Sequence, residues 1–301
     1  MQVVVCVKQV PDTEGPITVD TAANKIRMGW LPDVLNPYDR LAVEEATLIR
    51  ERCGGGGVTV LCMGLPSATE VLRTCLAMGA DRAILLCDPA FDNSDSYATG
   101  VILAKAIAAL KLPYDLVLCG ARAVDTNTGL TGPTMAEILR LPLVTEVVKI
   151  DVHDHDKAIV HKKLEAGDRA VVETPLPALL TVESGINKPR YLKLRAVLSA
   201  SRKAIEQYDL KALSLLPDEV GLTGSKTRVI GIAPPKPRGK KLFTPDSSLS
   251  AAERMRLIMS GGIAQKASSG LLEGDPKTLA SRFVQFLKEK KLISGPLSGR
   301  G

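Results

Sequence analysis

The sequence predicts an α/β fold built on a mostly parallel sheet. Over the first 150 residues, short aliphatic runs alternate with amphipathic segments of helical length. The runs are continuously apolar, as in strands covered on both faces, and the segments between them are long enough for crossover helices. The predicted strands are Val3–Val7, Val58–Cys62, Ala83–Cys87, Leu116–Cys119 and Val144–Ile150, and the predicted helices are Tyr38–Arg52, Ser67–Met78, Asp95–Leu110 and Gly129–Leu139.

From about residue 144 to residue 183 the pattern changes to strands joined by turns. The runs Lys157–Glu165 and Arg169–Glu173 flank a glycine turn at Ala166–Asp168, and a further run follows at Ala178–Val182. These runs predict an antiparallel hairpin added to the edge of the sheet. One more helix is predicted at Ser199–Tyr208.

Basic charge is concentrated near the C-terminal end. Residues 221–301 contain 15 Lys and Arg against 5 Asp and Glu, whereas residues 1–220 contain 24 against 28. Phe243 is the single aromatic residue between Gly221 and Ser281 that could stack on a base, and no nucleic-acid-binding motif occurs there. We therefore expect no nucleic-acid partner and attribute the charge to contact with an acidic protein surface.

The C-terminal part is predicted to be an arm. The prolines of Pro234–Lys241 favour an extended segment outside any central sheet. Two helical patterns follow, at residues 249–260 and 276–291, and they are too isolated to form their own core. We therefore predict an α/β nucleotide-binding domain over residues 1–209 and a basic arm over residues 210–301 that docks on a partner subunit.

Several classes of protein are disfavoured. No apolar stretch reaches the ~18 residues of a membrane helix, and the N-terminus lacks a secretory pattern, so we expect a cytoplasmic protein without a membrane span.

The six cysteines form no C-x-x-C pair and suit small reduced core residues. The polar turn at Asp151–Asp156 has no third ligand cluster elsewhere, so no metal site is expected. The three histidines all lie in the hairpin region and no nucleophile elbow occurs, which favours a bound cofactor over side-chain catalysis.

The candidate site lies at the carboxyl ends of the parallel strands, where open sheets bind ligands. Two loops there, at residues 88–96 and 120–132, are rich in hydroxyl groups, and each leads into a predicted helix. The free N–H groups of a helix N-terminus suit a phosphate. Helix capping explains either loop alone, whereas two such loops on one edge favour a nucleotide. The phosphate candidates are Ser94, Ser96 and Thr99 on the first loop and Thr126, Asn127, Thr128, Gly129 and Thr131 on the second.

Residues 1–210 resemble the β subunit of electron-transfer flavoproteins. The similar segments are Val3–Pro11, Asn36–Asp39 with Ala42–Ala46, Leu76–Arg82, Gly120–Gly132 and Asn187–Tyr191. The resemblance implies a Rossmann-like fold related to adenine-nucleotide hydrolases, and an α-subunit partner that carries flavin adenine dinucleotide (FAD) and is wrapped by the arm. It also implies docking on acyl-CoA dehydrogenase-type flavoproteins. The residues so implied are Ile186, Asn187, Pro189, Arg190 and Tyr191.

The resemblance further implies a cofactor in the crevice. Simple carriers of this family hold AMP there, whereas electron-bifurcating members hold a second FAD that accepts a hydride from NADH. Asp88–Thr99 is similar to the bifurcating loop, with Asn93 and Ser96 replacing its Gly and Thr. FAD is therefore the expected cofactor, AMP the alternative and NAD(H) a candidate electron donor. The further residues implied to bind it are Cys6, Val7, Asn36, Asp39, Gly64, Asp88, Cys119, Gly120, Arg122 and Asp125.

Other interpretations stay open at this point. An adenine-nucleotide sensor or ATP-using enzyme of the same fold would need no α subunit, although the chain lacks a glycine-rich ATP loop. A purely structural subunit would leave its crevice empty. The position of Arg122 departs from the family pattern, and this side chain could approach a flavin or a partner's carboxylate equally.

Overall fold

The computed structural model describes residues 1–13, 15, 18–20, 25–27, 32–153, 156–233, 245–259, 274–290 and 292. The chain divides into two compact units, Met1–Pro234 and Pro235–Gly301. The described strands are β1 (Gln2–Val7), β2 (Gln9–Pro11), β3 (Thr18–Asp20), β4 (Lys25–Arg27), β5 (Asp33–Leu35), β6 (Gly57–Met63), β7 (Arg82–Leu86), β8 (Leu116–Gly120), β9 (Leu143–His153), β10 (Lys157–Lys163), β11 (Arg169–Pro175), β12 (Ala178–Val182) and β13 (Glu206–Tyr208). The described α-helices are α1 (Pro37–Arg52), α2 (Thr69–Met78), α3 (Ser96–Ala109), α4 (Thr131–Leu139), α5 (Leu194–Arg202), α6 (Gly221–Gly224), α7 (Ala251–Met259) and α8 (Pro276–Glu289).

A nine-stranded sheet forms the centre of the first unit, with the strand order β11-β10-β9-β12-β8-β1-β6-β7-β13. Neighbouring strands from β9 to β13 in this order are parallel, and β10 and β11 are antiparallel additions at one edge. Two small antiparallel pairs, β2 with β5 and β3 with β4, lie outside the large sheet. The predicted α/β class and its edge hairpin are confirmed.

The two faces of the sheet are covered by different helices. Helices α1, α2 and α5 contribute to the apolar cluster on one face, and α3 and α4 contribute to the cluster on the other. Successive β1 residues alternate between these clusters, with Val3 and Val5 in the first and Val4 in the second. Burial on both faces explains why the predicted strands read as continuous apolar runs.

The assignment of Ala178–Val182 to the edge hairpin is wrong. This segment is β12, which lies inside the sheet and runs parallel to β8 and β9. All five of its residues are buried. Its closeness in sequence to the hairpin suggested an edge position, whereas its unbroken apolar character is that of an interior parallel strand.

The predicted helix at residues 199–208 is also wrong. Helix α5 ends at Arg202, and the chain then forms β13, parallel to β7. Arg82 of β7 donates two hydrogen bonds to the carboxylate of Glu206, at 2.6 and 2.7 Å. This tertiary contact with the sheet edge overrides the local helical pattern.

The first compact unit continues beyond the predicted domain end at residue 209. Leu213, Leu215 and Val220 are buried in the cluster that contains α3 and α4. Residues 210–234 therefore belong to the first unit, whereas the sequence analysis places them in the arm. In the second unit, α7 and α8 fall within the two predicted helical patterns, and Pro234–Lys241 lies outside the described residues. No described helix is long and apolar enough to cross a membrane.

Candidate functional site

The strand order places a crevice between β1 and β8. Helix α1 leads from β1 to β6 on one side, whereas α3 leads from β7 back to β8 on the other side of β1. Such a reversal leaves a gap at the carboxyl ends of the two strands, where open α/β sheets bind ligands. Lys8 follows β1, and the segment Gly120–Gly132, here called the threonine loop, begins at the end of β8.

Asp39, in the first turn of α1, joins the ends of these two strands. Its buried carboxylate accepts hydrogen bonds from the backbone N–H of Lys8, at 2.8 Å, and of Gly120, at 2.9 Å. Burial raises the pKa of Asp39 to about 7, although these hydrogen bonds act in the opposite direction. Asp39 therefore shapes the crevice by holding backbone on both of its sides.

Gly120 allows this arrangement because it has no side chain. A Cβ at this position would lie 2.4 Å from Asp39 Oδ1 and 2.7 Å from the Cβ of Tyr38. Any larger residue would push α1 away from the end of β8. The predicted site residue Gly120 thus has a packing role at the crevice.

Asn36 precedes α1 but its side chain does not cap the helix. Its amide donates to the carbonyl oxygen of Arg122, at 3.0 Å, and accepts from the backbone N–H of Val124, at 3.2 Å. Its own backbone N–H donates to the carbonyl of Lys8, at 3.0 Å. Asn36 therefore holds the first part of the threonine loop against the end of β1.

The second part of the threonine loop is exposed. The Lys8 ammonium lies 2.6 Å from the carboxylate of Asp125, which also accepts from the backbone N–H of Thr126 at 2.8 Å. Asn127 and Gly129 have positive φ angles of 52° and 65°, which turn the chain toward α4. Helix α4 begins at Thr131, so the loop ends at a helix N-terminus as expected.

The residues Asp88–Ser96, here called the serine loop, direct most of their polar groups toward residues 210–227. Asp88 accepts from the backbone N–H of Ala90, at 2.8 Å, and of Leu210, at 3.0 Å. The Ser94 hydroxyl donates to the carbonyl of Phe91, at 2.7 Å, and accepts from the N–H of Gly221, at 3.0 Å. A phosphate role for Ser94 stays a prediction, and it would require this hydroxyl to turn its proton away from the carbonyl of Phe91.

The two loops nevertheless meet. The hydroxyl oxygens of Ser96 and Thr128 lie 2.5 Å apart, which confirms that both loops reach one edge of the sheet. Ser96 begins α3, and Thr99 lies in the first turn of that helix. The two helix N-termini, of α3 and α4, therefore lie next to hydroxyl groups that face each other.

The remaining predicted crevice residues lie at or just after the ends of β1, β6 and β8. Cys6, Val7 and Cys119 are buried at the ends of β1 and β8, and burial raises the pKa of both thiols. Gly64 follows β6, and its N–H donates to the carbonyl of Leu86 at 3.1 Å. All six cysteines have free thiols. Within the described part of the chain, no three His, Cys, Asp or Glu residues are grouped to hold a metal ion, and Asp154 and His155 lie outside that part.

Arg122 is paired within this chain through one nitrogen of its guanidinium, whereas its buried Nε has no hydrogen-bond partner among the described residues. Its guanidinium lies 2.5 Å from the carboxylate of Glu183, which is 1% exposed, and 5.4 Å from the centre of the Tyr38 ring. Burial alone would raise the pKa of Glu183, but hydrogen bonds from Ser184 and Arg122 outweigh it and lower that pKa. A cavity of about 250 Å³ lies beside this pair, lined by Ala121, Arg122, Asn127, Thr128, Gly129, Thr145, Glu146 and Thr181.

The predicted docking residues differ in exposure. Arg190 donates to Glu44 of α1 at 3.0 Å, and Asn187 donates to Glu45 at 3.0 Å. Ile186 packs partly against the apolar core, and Pro189 is half-buried. Tyr191, in contrast, is 98% exposed. The structure therefore presents Tyr191 to the surroundings and uses Asn187 and Arg190 to hold the loop on α1.

Comparison with known proteins assigns the family. Residues 31–213 match the electron transfer flavoprotein domain. The caffeyl-CoA reductase–Etf complex subunit CarD of Acetobacterium woodii is 40% identical over 245 residues, covering 81% of this chain and 92% of that protein. The chain belongs to the electron transfer flavoprotein β-subunit family. The electron transfer flavoprotein subunit beta of Megasphaera elsdenii is 35% identical over 298 residues, covering 97% of this β subunit and 100% of the relative. The acryloyl-CoA reductase electron transfer subunit gamma of Anaerotignum propionicum is 36% identical over 301 residues, covering 97% of this chain and 100% of that protein.

Several residues of this β subunit were missed by reasoning from sequence. Lys8 lies in a strand-end loop, Lys8–Asp12, that the sequence does predict, but no role was assigned to its side chain, and Glu183 follows a buried strand in the same way. A role for Glu183 was not predicted because β12, the strand that precedes it, was assigned to the edge of the sheet. Leu194 and Leu198 of α5 are exposed, at 73% and 55%, on a helix whose start lay outside the predicted helix.

Proposed function

We propose that this β subunit holds FAD in the crevice between β1 and β8, and that its heterodimer with an α subunit passes electrons to a flavoprotein dehydrogenase. Electron transfer and pairing with an α subunit follow from the family. The observation that supports FAD is the contact between Ser96 and Thr128, at 2.5 Å. Ser96 begins α3 and Thr128 lies in the loop that leads into α4, and two hydroxyl-bearing segments that meet before helix N-termini suit a diphosphate better than a single phosphate.

The described residues fit such a cofactor. Lys8 supplies a cation at the crevice, and the exposed stretch of the threonine loop supplies backbone N–H and hydroxyl groups. Asp39 and Asn36 would hold the ends of β1 and β8 at a fixed spacing beside the ligand. The groups proposed to bind phosphate and ribose are those of Ser96, Thr99, Asp125, Thr126, Asn127, Thr128, Gly129 and Thr131. When bound, FAD would supply hydride acceptance from NADH and release of single electrons.

Electron bifurcation is the finer proposal. It is supported by the similarity to a subunit of a caffeyl-CoA reductase–Etf complex and by the sequence of Asp88–Thr99. One observation favours the second candidate, a simple carrier that holds AMP. The Ser94 hydroxyl donates its proton to the carbonyl of Phe91, so the serine loop offers fewer donors to a second phosphate. The free thiols suit a reducing compartment, and we place the heterodimer in the cytoplasm.

The deciding experiment is nucleotide extraction from the purified heterodimer. Two FAD and no AMP per heterodimer would support the bifurcating type, whereas one FAD and one AMP would replace it with the simple carrier. A heterodimer without any flavin would overturn both. Recording absorption spectra while NADH is added then tests whether NADH is the donor, since reduction bleaches the flavin bands.

Docking on a dehydrogenase is proposed for the surface that begins at Tyr191 and continues on α5. Leu194 and Leu198 extend this exposed apolar surface, and Arg195 and Arg202 flank it. Tyr191→Ala is expected to raise the KM of an acyl-CoA dehydrogenase-type partner for the heterodimer and to leave kcat unchanged. Lys211→Ala, in an exposed part of the same unit, is the control.

A further inference from the structure

We propose that Glu183 is a positioning residue that joins the threonine loop to the loop Glu183–Tyr191, so that the geometry of one depends on the other. This inference rests on the proposed function, in which the first loop holds the cofactor and the second leads to the docking surface. Through this connection, binding of the cofactor in the crevice would change the conformation of the loop that leads to the dehydrogenase-docking surface.

Both oxygens of the Glu183 carboxylate accept hydrogen bonds. One oxygen accepts from the Arg122 guanidinium at 2.5 Å. The other accepts from the backbone N–H and the hydroxyl of Ser184, at 3.0 and 2.7 Å, and lies 3.7 Å from the Lys163 ammonium. Glu183 therefore contacts the threonine loop through one oxygen and its own loop through the other.

Arg122, the partner, is fixed by the same helix that shapes the crevice. Its carbonyl accepts from Asn36, at 3.0 Å, and its guanidinium lies over the ring of Tyr38, at 5.4 Å. The backbone N–H of the preceding Ala121 donates to the carbonyl of Val182, at 2.8 Å. The start of the threonine loop thus cannot shift without moving the end of β12.

The far end of the Glu183–Tyr191 loop is held by α1 as well. Arg190 binds Glu44, and Asn187 binds Glu45, and both glutamates are buried. Helix α1 therefore contacts the threonine loop through Tyr38 and the second loop through Glu44 and Glu45, and Asn36, which precedes the helix, also holds the threonine loop. The Arg122–Glu183 pair connects the two loops directly, beside Tyr38 of α1.

The burial of Glu183 distinguishes this pair from ordinary surface ion pairs. Exposed pairs contribute little, because solvent screens both charges. Glu183 is 1% exposed, so removal of Arg122 leaves a buried carboxylate without that partner. A loosened threonine loop would in this way loosen the loop that presents Tyr191.

The test is amide hydrogen exchange of peptides that cover residues 184–191, measured on the purified heterodimer with its bound nucleotide and after extraction of that nucleotide. In the unmodified protein, extraction is expected to speed exchange by about tenfold or more. In Glu183→Gln, exchange is expected to be fast in both states. The Glu183→Gln plus Arg122→Gln double variant is expected to match Glu183→Gln, because both changes break one contact.

Glu173→Gln is the matched control, since it breaks the exposed pair between Glu173 and Lys157 at 3.4 Å and should leave exchange at residues 184–191 unchanged. Exchange in Glu183→Gln equal to that of the unmodified protein, or additive effects of the two substitutions, would overturn the proposal. If Glu183→Gln does not fold, Arg122→Gln decides in the same way. A heterodimer that lacks flavin defeats the proposed function, yet the two substitutions still test the contact.

Discussion

The threonine loop and the serine loop carry similar side chains but are held in opposite ways. The start of the threonine loop is fixed by groups outside it, namely Asn36, Asp39 and Glu183, and its own polar side chains from Thr126 to Thr128 stay exposed. The serine loop uses its own polar groups to hold residues 210–227. A hydroxyl-rich loop at a helix start can therefore serve a ligand or serve the fold.

This difference separates residues that shape the crevice from residues that contact a ligand. Asp39 and Ser94 both lie at the crevice edge, yet each has its polar atoms bound to backbone N–H groups of the protein. Substitutions at such positions should lower stability first. Substitutions in the exposed part of the threonine loop should lower ligand affinity first.

The largest effect is expected for Asp39→Ala. It would leave the N–H groups of Lys8 and Gly120 without an acceptor at a buried position. The free energy of unfolding should fall by about 3 kcal/mol, measured by urea denaturation. Asp168→Ala, on the exposed turn of the edge hairpin, is the control and should change little. Equal losses in the two variants would show that Asp39 does not hold the strand ends.

The same carboxyl should give stability a distinct pH dependence. Its pKa in the folded chain, about 7, lies above the ordinary value of 3.8, so the folded state retains a proton that the unfolded state releases. The stability from this proton is complete below pH 3.8 and is lost as the pH rises through about 7. The unfolding free energy of Asp39→Asn should therefore decrease less steeply over this pH interval than that of the unmodified protein. Parallel curves would contradict the raised pKa.

A smaller loss is expected for Gly120→Ala. The added Cβ would lie 2.4 Å from Asp39 Oδ1, and relief of this contact requires α1 to shift. We expect about 2 kcal/mol of lost stability together with weaker flavin retention. Gly231→Ala is the matched control, because no atom lies within 4 Å of its Cβ position. Retention of flavin at the normal level in Gly120→Ala would place the cofactor away from this crevice.

The positions of the strands and of the two loops could be predicted from the sequence, whereas the contacts of individual side chains could not. Apolar runs and helix starts located the strands and both loops, because burial on two faces leaves a clear pattern. They did not show where a side chain points. The contacts of Ser94 with Gly221 and of Asp39 with Gly120 join residues more than 80 positions apart, and no local pattern records them.

Asp95→Ala tests whether the serine loop serves the fold. The Asp95 carboxylate caps α3 through the N–H of Ala98 and also accepts from the N–H groups of Lys226 and Thr227. We expect about 1.5 kcal/mol of lost stability and faster proteolysis near residues 225–227, with the flavin retained. Loss of flavin without loss of stability would assign this loop to the ligand instead.

The smallest change in stability, and the sharpest comparison, is expected from Ser94→Ala and Thr128→Ala. The Ser94 hydroxyl binds Phe91 and Gly221, so its removal should cost about 1 kcal/mol and leave the flavin content unchanged. Thr128 is exposed, so its removal should change stability by less than about 0.5 kcal/mol and lower flavin retention several-fold. Flavin content of the purified heterodimer and urea denaturation measure the two effects. The reverse result, with flavin lost in Ser94→Ala and kept in Thr128→Ala, would mean that the Ser94 hydroxyl turns its proton from the carbonyl of Phe91 to the cofactor when the cofactor binds. The hydrogen bond from Ser94 to Phe91 would then compete with the ligand, and the serine loop would not be a fixed part of the fold.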